Sequence, residues 1–366
     1  MKIAILGTRG IPNNYGGFEQ CAEFLSIGLA KKGHTVAVYS PSFHPFNEKF
    51  YKGVQIIKKS SPQNIFGKSA SNFIYDYLCL KDATKKDFDI ILQLGLITSA
   101  LSIIFCKHRG KTIVTNIDGL EWKRSKWNRL VQKLTRLLEK YGVKYSDYLI
   151  ADNLAIKDYL FKEYNVGSRK IEYGTVPVAK PDISLLRKYS MSKGNYIVTI
   201  ARLEPENNLE MICDGYINSK IKMPYYIIGN HLTDYGDFLK DKYRGYGIKF
   251  LGGIYDKKCL DSIRYYSFCY IHGHSVGGTN PALLEAMAAK ALIIAHKNRF
   301  NRSVINDDAF YFNSAFDITK ILKRNNLLLH KNKFVDNNCK KIDQLYSWRV
   351  IVDKYEQYFL EILNKK

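Results

Sequence analysis

The chain has 366 residues and 46% hydrophobic content, enough for two α/β domains with full cores rather than one small domain. Its formal net charge of +22 points to an anionic partner (a nucleic acid, an anionic membrane surface or a phosphorylated substrate) or to a plain solvated basic surface, and charge alone does not choose. Seven scattered cysteines show no CxxC or Cys/His ligand spacing, so buried thiols in a reducing, cytoplasmic compartment are expected and a zinc site is not.

Met1-Lys2 leads into a short strand, Lys2–Leu6, and a glycine loop, not a signal peptide. The loop Gly7–Gly17 is followed by a helix over Phe18–Lys32, with apolar residues at Phe18, Cys21, Ala22, Phe24, Leu25 and Leu29. Gly33 ends it, and His34–Tyr39 reads as the next strand, giving a right-handed βαβ unit. Further strands are expected at Val54–Ile57, Asp89–Leu94, Thr112–Thr115 and Tyr148–Ala151. The most apolar run, Ile90 to Cys106, is broken by Gln93, Gly95, Thr98, Ser99 and Ser102; it predicts a buried strand and helix, not a membrane span. A polar connector, Lys180–Gly194, precedes a second βα series with strands at Tyr196–Ala201, Tyr225–Ile228, Ile248–Leu251, Phe268–Ile271 and Leu292–Ala295. Tyr346–Leu363 is patterned as a last helix. Two such series predict an α/β chain of two Rossmann-like, doubly wound domains facing across a cleft, with ligands at the carboxyl ends of the strands.

The loops at those ends carry the candidate chemistry. Gly7–Gly17 is not GxGxxG, and Tyr39-Ser40-Pro41 supplies no acidic residue after the second strand, which disfavours nicotinamide binding. Arg9 and the helix start at Gly16-Gly17 suit a pyrophosphate or sugar, with Ile11, Pro12 and Tyr15 as anchors. Asp118-Gly119, after the Thr112–Thr115 strand, either orients or deprotonates a hydroxyl or is a simple Asp-Gly turn. Arg202 ends the Tyr196–Ile200 strand and offers a guanidinium to a diphosphate, or an ion pair to Glu204 or Glu206. After the strand ending at Ile271 come Gly277-Gly278, a cap at Thr279 or Asn280, Pro281 in the first helical turn and Glu285 about one turn in. That is a strand–turn–helix corner able to bind an anion.

Lys123 through Lys144 interleaves basic residues with Trp127, Leu130, Val131, Leu134, Leu137 and Leu138, behind Trp122. The leucines favour a surface helix packing them inward, while the lysines and tryptophans keep an anionic membrane open. Asp87-Phe88-Asp89 has DxD spacing but lies at the amino end of its strand, so it is read as loop and strand-start carboxylates and no metal site is assigned. No Ser/His/Asp or Cys/His triad is assembled, and no nucleic-acid recognition motif is visible.

Taken together, Gly7-Thr8-Arg9-Gly10-Ile11-Pro12 with Tyr15-Gly16-Gly17-Phe18-Glu19, Asp118-Gly119-Leu120-Glu121-Trp122, Ala201-Arg202-Leu203-Glu204-Pro205-Glu206-Asn207-Asn208 and His274-Ser275-Val276-Gly277-Gly278-Thr279-Asn280-Pro281 resemble the retaining GT-B glycosyltransferases of family four. The match is closest to a bacterial rhamnosyltransferase-like subgroup of capsule and O-antigen assembly. The resemblance implies an acceptor-side domain over 1–178, a nucleotide-sugar domain over 179–345 and a helix over 346–366 crossing back to the first. It assigns the donor to Arg9, Gly16, Gly17, Arg202, Asn207, His274, Ser275, Gly277, Gly278, Thr279, Asn280 and Glu285, and the acceptor to Tyr15, Asp118, Glu121 and Trp122, with Asp118 and Arg202 catalytic.

Glu285 matches the second, ribose-binding Glu of the family's Glu-x7-Glu motif, but the first is replaced by Gly277. The Gly277-Gly278 backbone and the Thr279 hydroxyl then take over the sugar, which fits a deoxysugar such as rhamnose. A family lysine is replaced by Asn207, leaving Arg202 to draw on Arg9 or helix N-termini. The expected partners are a nucleoside-diphosphate sugar, a polyprenyl-diphosphate-linked saccharide and the anionic inner face of the plasma membrane, with no metal, cofactor or nucleic acid. The alternative is a non-catalytic sugar-nucleotide-binding or membrane-surface partner of an assembly complex.

Overall fold

The computed structural model describes residues 1–366 except Tyr15, 107–109, Asp118, Ser125, Lys126 and Lys366, and except the side chains of Asn64, Phe66, Lys68 and Ser69. The chain divides into two compact units. The first comprises Met1–Lys123, Trp127–Gly174 and Trp348–Lys366; the second comprises Arg124–Lys126 and Thr175–Ser347.

Among the described residues the first unit holds an eight-stranded sheet. Its strands are β1 (Lys2–Leu6), β2 (Thr35–Pro41), β3 (Phe50–Tyr51), β4 (Val54–Lys59), β5 (Ile90–Leu94), β6 (Thr112–Ile117), β7 (Tyr148–Ala151) and β8 (Arg169–Lys170), in the order β3-β4-β2-β1-β5-β6-β7-β8. All neighbours run parallel except the β3–β4 hairpin. The helices are α1 (Gly17–Lys31), α2 (Gln63–Ala83), α3 (Ala100–Cys106), α4 (Arg129–Tyr145) and α5 (Leu154–Tyr164). Strands β5 and β6 are buried along their whole length, as a parallel sheet covered on both faces requires. The apolar run after Asp89 thus resolves into β5 and α3, and no described helix is long and apolar enough to cross a membrane. Asp87 and Asp89 hold Lys2 at the amino end of β1, Asp89 Oδ2 accepting the Lys2 backbone N–H at 2.7 Å.

The second unit holds, among the described residues, a six-stranded parallel sheet. Its strands are β9 (Ile197–Ile200), β10 (Tyr225–Ile228), β11 (Ile248–Gly252), β12 (Cys269–His272), β13 (Ile293–His296) and β14 (Phe310–Phe312), ordered β11-β10-β9-β12-β13-β14. Helices α6 (Leu209–Ser219), α7 (Asp234–Lys242), α8 (Lys257–Tyr266), α9 (Pro281–Ala288), α10 (Arg299–Ile305), α11 (Ala315–Leu322) and α12 (Lys331–Lys341) cover it. This core is rich in tyrosine, and each buried hydroxyl needs a partner. Tyr225 donates to Thr199 Oγ1 at 2.8 Å, Tyr196 to the Ile263 carbonyl at 2.6 Å and Tyr270 to the Ile200 carbonyl at 3.2 Å.

The last helix, α13 (Trp348–Leu363), belongs to the first unit. Trp348 stacks on Phe24 of α1 with ring centroids 4.9 Å apart, and Asn116 Nδ2 donates to the Tyr355 hydroxyl at 2.9 Å. Glu356 pairs with Lys32 at 2.6 Å. The chain leaves the first unit after Gly174 and returns at Trp348, and Thr175 and Ser347 form a parallel bridge beside these crossings.

The basic stretch from Trp122 onward differs from expectation in three ways. Glu121–Lys123 is a separate 3-10 turn, and the α-helix begins at Arg129, capped by Asn128, whose side chain accepts the Val131 N–H at 2.9 Å. The seam of α4 that packs inward is Thr135, Leu138, Glu139, Gly142 and Val143, so Leu130, Leu134 and Leu137 face solvent instead of the core. Trp122 is not an outward-facing anchor either: its ring lies against Tyr159 and under the Arg136 guanidinium, 5.0 Å from the ring centroid.

Candidate active site

Each sheet reverses its strand order beside its first strand, between β1 and β5 in one unit and between β9 and β12 in the other. The carboxyl ends of strands at such a reversal leave a crevice for a ligand. In the second unit, β9 runs into Ala201-Arg202 and β12 into Gly273-His274.

The two loops are latched together. Asn208 Nδ2 donates to the Gly273 carbonyl at 2.7 Å, and the Ser275 backbone N–H and hydroxyl both donate to the Glu206 carbonyl, at 3.0 and 2.8 Å. Asn207 bridges them: its Nδ2 donates to the Arg202 carbonyl at 2.7 Å, and its Oδ1 meets His274 Nδ1 at 3.0 Å. A Cβ on Gly273 would lie 1.9 Å from the Asn207 carbonyl oxygen, so only glycine permits this approach. Asn207 therefore spends both ends of its amide on bracing the loops. Burial, aided by the positive charges of Arg124 and Arg202, lowers His274 to about 4, so the ring is neutral near pH 7. Asn298 and Asn301 both donate to the His274 carbonyl at 3.0 Å.

Gly277 has φ +136°, a conformation other residues rarely adopt, and a Cβ there would lie 3.1 Å from His274 Nε2. The turn ends at Asn280, which caps α9 by accepting the Ala282 N–H at 2.9 Å, with Pro281 in the first helical position. Thr279, the other cap candidate, is buried. The Arg202 side chain remains 63% exposed, with its guanidinium 3.6 Å from Glu204 Oε2. That is a loose pair, which leaves Arg202 able to turn to an anion. Of the two alternatives the sequence offered, the ion pair to Glu204 is the one seen here.

Glu285 sits within α9, and its Oε2 accepts a 2.6 Å bond from Arg264 Nη2 of α8. Arg264 is 1% exposed and also lies 3.5 Å from Asp261. Among the described residues Glu285 Oε1 takes no hydrogen bond, so the carboxylate is held at one oxygen with the other left to accept from a hydroxyl. Sequence reading missed Arg264, which lies 21 residues earlier in an ordinary amphipathic helix with no local signal.

In the first unit, the loop between β1 and α1 is tied down by α1. Arg9 N–H donates to Glu19 Oε1 at 2.7 Å and Asn13 N–H to Glu23 Oε2 at 2.6 Å, while Ile11 is fully buried. The Arg9 guanidinium donates to Asn72 of α2 at 3.3 Å. Gly16 and Gly17 begin α1 without a side-chain cap. Asp76 of α2 is buried and raised to about 7 by desolvation, opposed by a Thr98 hydrogen bond and the Arg9 charge. Trp127 Nε1 donates to Glu121 at 3.5 Å. Tyr15 and Asp118 lie outside the described residues. Among the described residues no group of three or more His, Cys, Asp and Glu side chains is placed to hold a metal.

Residues 1–176 match the family model described as a domain of unknown function, DUF1972. No curated protein sequence matches the chain. Among solved structures, the chain is similar over 100% of both lengths to sucrose-phosphate synthase from Thermosynechococcus elongatus, at 15% identity and TM-score 0.81. It is similar to a glycosyltransferase from Rickettsia africae at 15% identity, with 100% of this chain and 99% of that one covered and TM-score 0.74. It is also similar to Anabaena HepE, solved in complex with UDP and glucose, at 14% identity, with 99% and 100% covered and TM-score 0.76. The fold is GT-B, two parallel-sheet α/β domains.

Proposed function

We propose that the chain is a retaining glycosyltransferase that moves a sugar from a nucleoside-diphosphate donor to a hydroxyl of a lipid-linked saccharide. The observation that carries this reading is the constellation at the β9/β12 reversal: an exposed guanidinium, a glycine turn into a capped helix, and a carboxylate locked at one oxygen. A nucleoside diphosphate presents the complementary groups, a diphosphate for Arg202 and the α9 N-terminus and a ribose diol for Glu285. The fold shared with HepE, whose structure holds UDP and glucose, supports a sugar nucleotide as the ligand.

Cleavage of the donor bond leaves positive charge on the sugar and negative charge on the diphosphate. Arg202 and the amides of the Gly277-Gly278 turn stabilise that leaving group. The acceptor hydroxyl enters on the same face and passes its proton to the departing phosphate, with Asp118, Glu121, Trp122 and Tyr15 positioning the acceptor. Arg9, Gly16 and Gly17 contribute to the donor phosphates. Gly277 stands where the resembling family has a sugar-binding Glu, and a donor with fewer hydroxyls, rhamnose or another deoxysugar, suits that loss. The acceptor is a polyprenyl-diphosphate saccharide of bacterial capsule or O-antigen synthesis, reached by peripheral association with the inner membrane face.

Calorimetric titration with UDP, dTDP and GDP, followed by incubation of the best nucleotide's sugars with lipid-linked acceptors, tests the reading. NMR of the product's anomeric centre tests retention. A nucleotide that binds without transfer or slow donor hydrolysis would favour a non-catalytic sugar-nucleotide binder, and no nucleotide binding at all would overturn both.

A further inference from the structure

The exposed side of α4 is organised in two parallel rows. Leu130, Leu134, Leu137 and Tyr141 recur at helical spacing and are 76%, 53%, 49% and 39% exposed. Beside them, Arg129, Lys133, Arg136, Lys140 and Lys144 form a second row with the same spacing, all exposed. The only carboxylate of α4, Glu139, is buried, where it accepts from the Tyr159 and Tyr164 hydroxyls at 2.5 and 2.7 Å. Arg136 pairs with Glu163 of α5, and the other four cations have no acidic neighbour on their own helix. Helix α3 packs against α4 and leaves Leu101 and Phe105 43% and 69% exposed.

A soluble helix gains nothing by showing a leucine row to water, since each buried side chain is worth stabilisation that exposure forfeits. A folded protein partner for this face would need an acidic rim around an apolar groove. A bilayer with anionic headgroups supplies both features at once: a negative surface for the cations, and acyl chains beneath it for the leucines and Phe105. Lysine and arginine stems lie along apolar surface while their charges reach outward, which suits a helix lying flat at that boundary.

We propose that the α3–α4 face of the first unit docks on an anionic lipid bilayer, with the Leu130, Leu134 and Leu137 row inserted among the acyl chains and the Lys133 and Lys140 row on the headgroups. The inference rests on the lipid-linked acceptor proposed above for its purpose, and it names the surface that brings the chain to that acceptor.

Vesicle co-sedimentation of the full chain tests it, using phosphatidylcholine alone and phosphatidylcholine with phosphatidylglycerol. Wild type is expected on the anionic vesicles and not the neutral ones, with binding falling as salt rises. The variant Leu130→Gln/Leu134→Gln/Leu137→Gln and the variant Lys133→Glu/Lys140→Glu should each bind anionic vesicles on the order of tenfold more weakly or worse. Both should keep the wild-type melting temperature and the wild-type nucleotide affinity measured without lipid. No wild-type binding, equal binding to neutral vesicles, or a leucine variant that binds like wild type would each overturn the proposal. Because nucleotide affinity is read separately, its loss or absence would strike the transferase reading and leave the lipid result standing.

Discussion

Replacing Glu285 tests the site through two independent readouts. Glu285→Ala leaves the Arg264 guanidinium, 1% exposed, without its 2.6 Å partner. Breaking a buried pair this way costs about 3–5 kcal/mol, and Asp261 at 3.5 Å compensates in part, so the lower end, about 3 kcal/mol, is expected. For a domain of this size each kcal/mol lowers Tm by about 2–4 °C, giving a fall of about 6–12 °C in the second unit's calorimetric transition. The double variant Arg264→Met/Glu285→Met removes both charges and should regain most of that loss, because an apolar pair of similar volume is close to neutral in place of a buried ion pair. Nucleotide affinity should behave differently. Losing a charged hydrogen bond to the ribose weakens UDP or dTDP binding by about ten- to a hundredfold in both variants, and a 2′,3′-dideoxy nucleotide should bind wild type and double variant alike. A Glu285→Ala protein melting at the wild-type temperature would refute the importance of the pair. A double variant with wild-type nucleotide affinity would refute the ribose role while leaving the pair intact.

Arg202→Ala should lower kcat by about 10²–10³ with an unchanged melting temperature, since the side chain is largely exposed and its charge is used in the transition state; near-normal turnover would remove it from the diphosphate. Asn207→Ala should loosen the Arg202 and His274 loops, raising donor KM more than it lowers Tm, as read by steady-state kinetics beside calorimetry. Gly277→Ala strains a φ of +136° and crowds His274, and is expected to cost about 1–3 kcal/mol in second-unit stability by denaturant titration. Asp76 gives a pH signature. Its folded pKa, about 7, lies above its unfolded value, so the folded state holds the extra proton, and stability falls as pH rises from about 4 to about 7. Asp76→Asn should remove that slope, leaving a stability gain over wild type that grows through this window and is flat above it. A constant difference between the two proteins from pH 4 to 8 would contradict the buried, neutral acid.

The strand and helix series was legible because buried parallel strands are continuous apolar runs and each helix repeats its apolar face locally. The Gly277-Gly278 turn, the Asn280/Pro281 helix start and the position of Arg202 after β9 follow from short stretches whose chemistry is contained in adjacent residues. Other features depend on residues far apart in the chain. The grip of Arg264 on Glu285 joins two helices, and the bracing of His274 by Asn207 spans 67 residues, so neither has a local pattern. The leucines of α4 show the limit most clearly. Their spacing announces an amphipathic helix, but it contains two apolar stripes, and periodicity alone cannot say which one meets the core. Packing decided it: Leu138, Gly142 and Val143 turn inward and Leu130, Leu134 and Leu137 outward. The sequence by itself determined the elements and the residue types at the strand ends. Only the tertiary structure decided which side chains support one another and which face is left exposed, because those outcomes are set by surfaces that meet after the chain has folded.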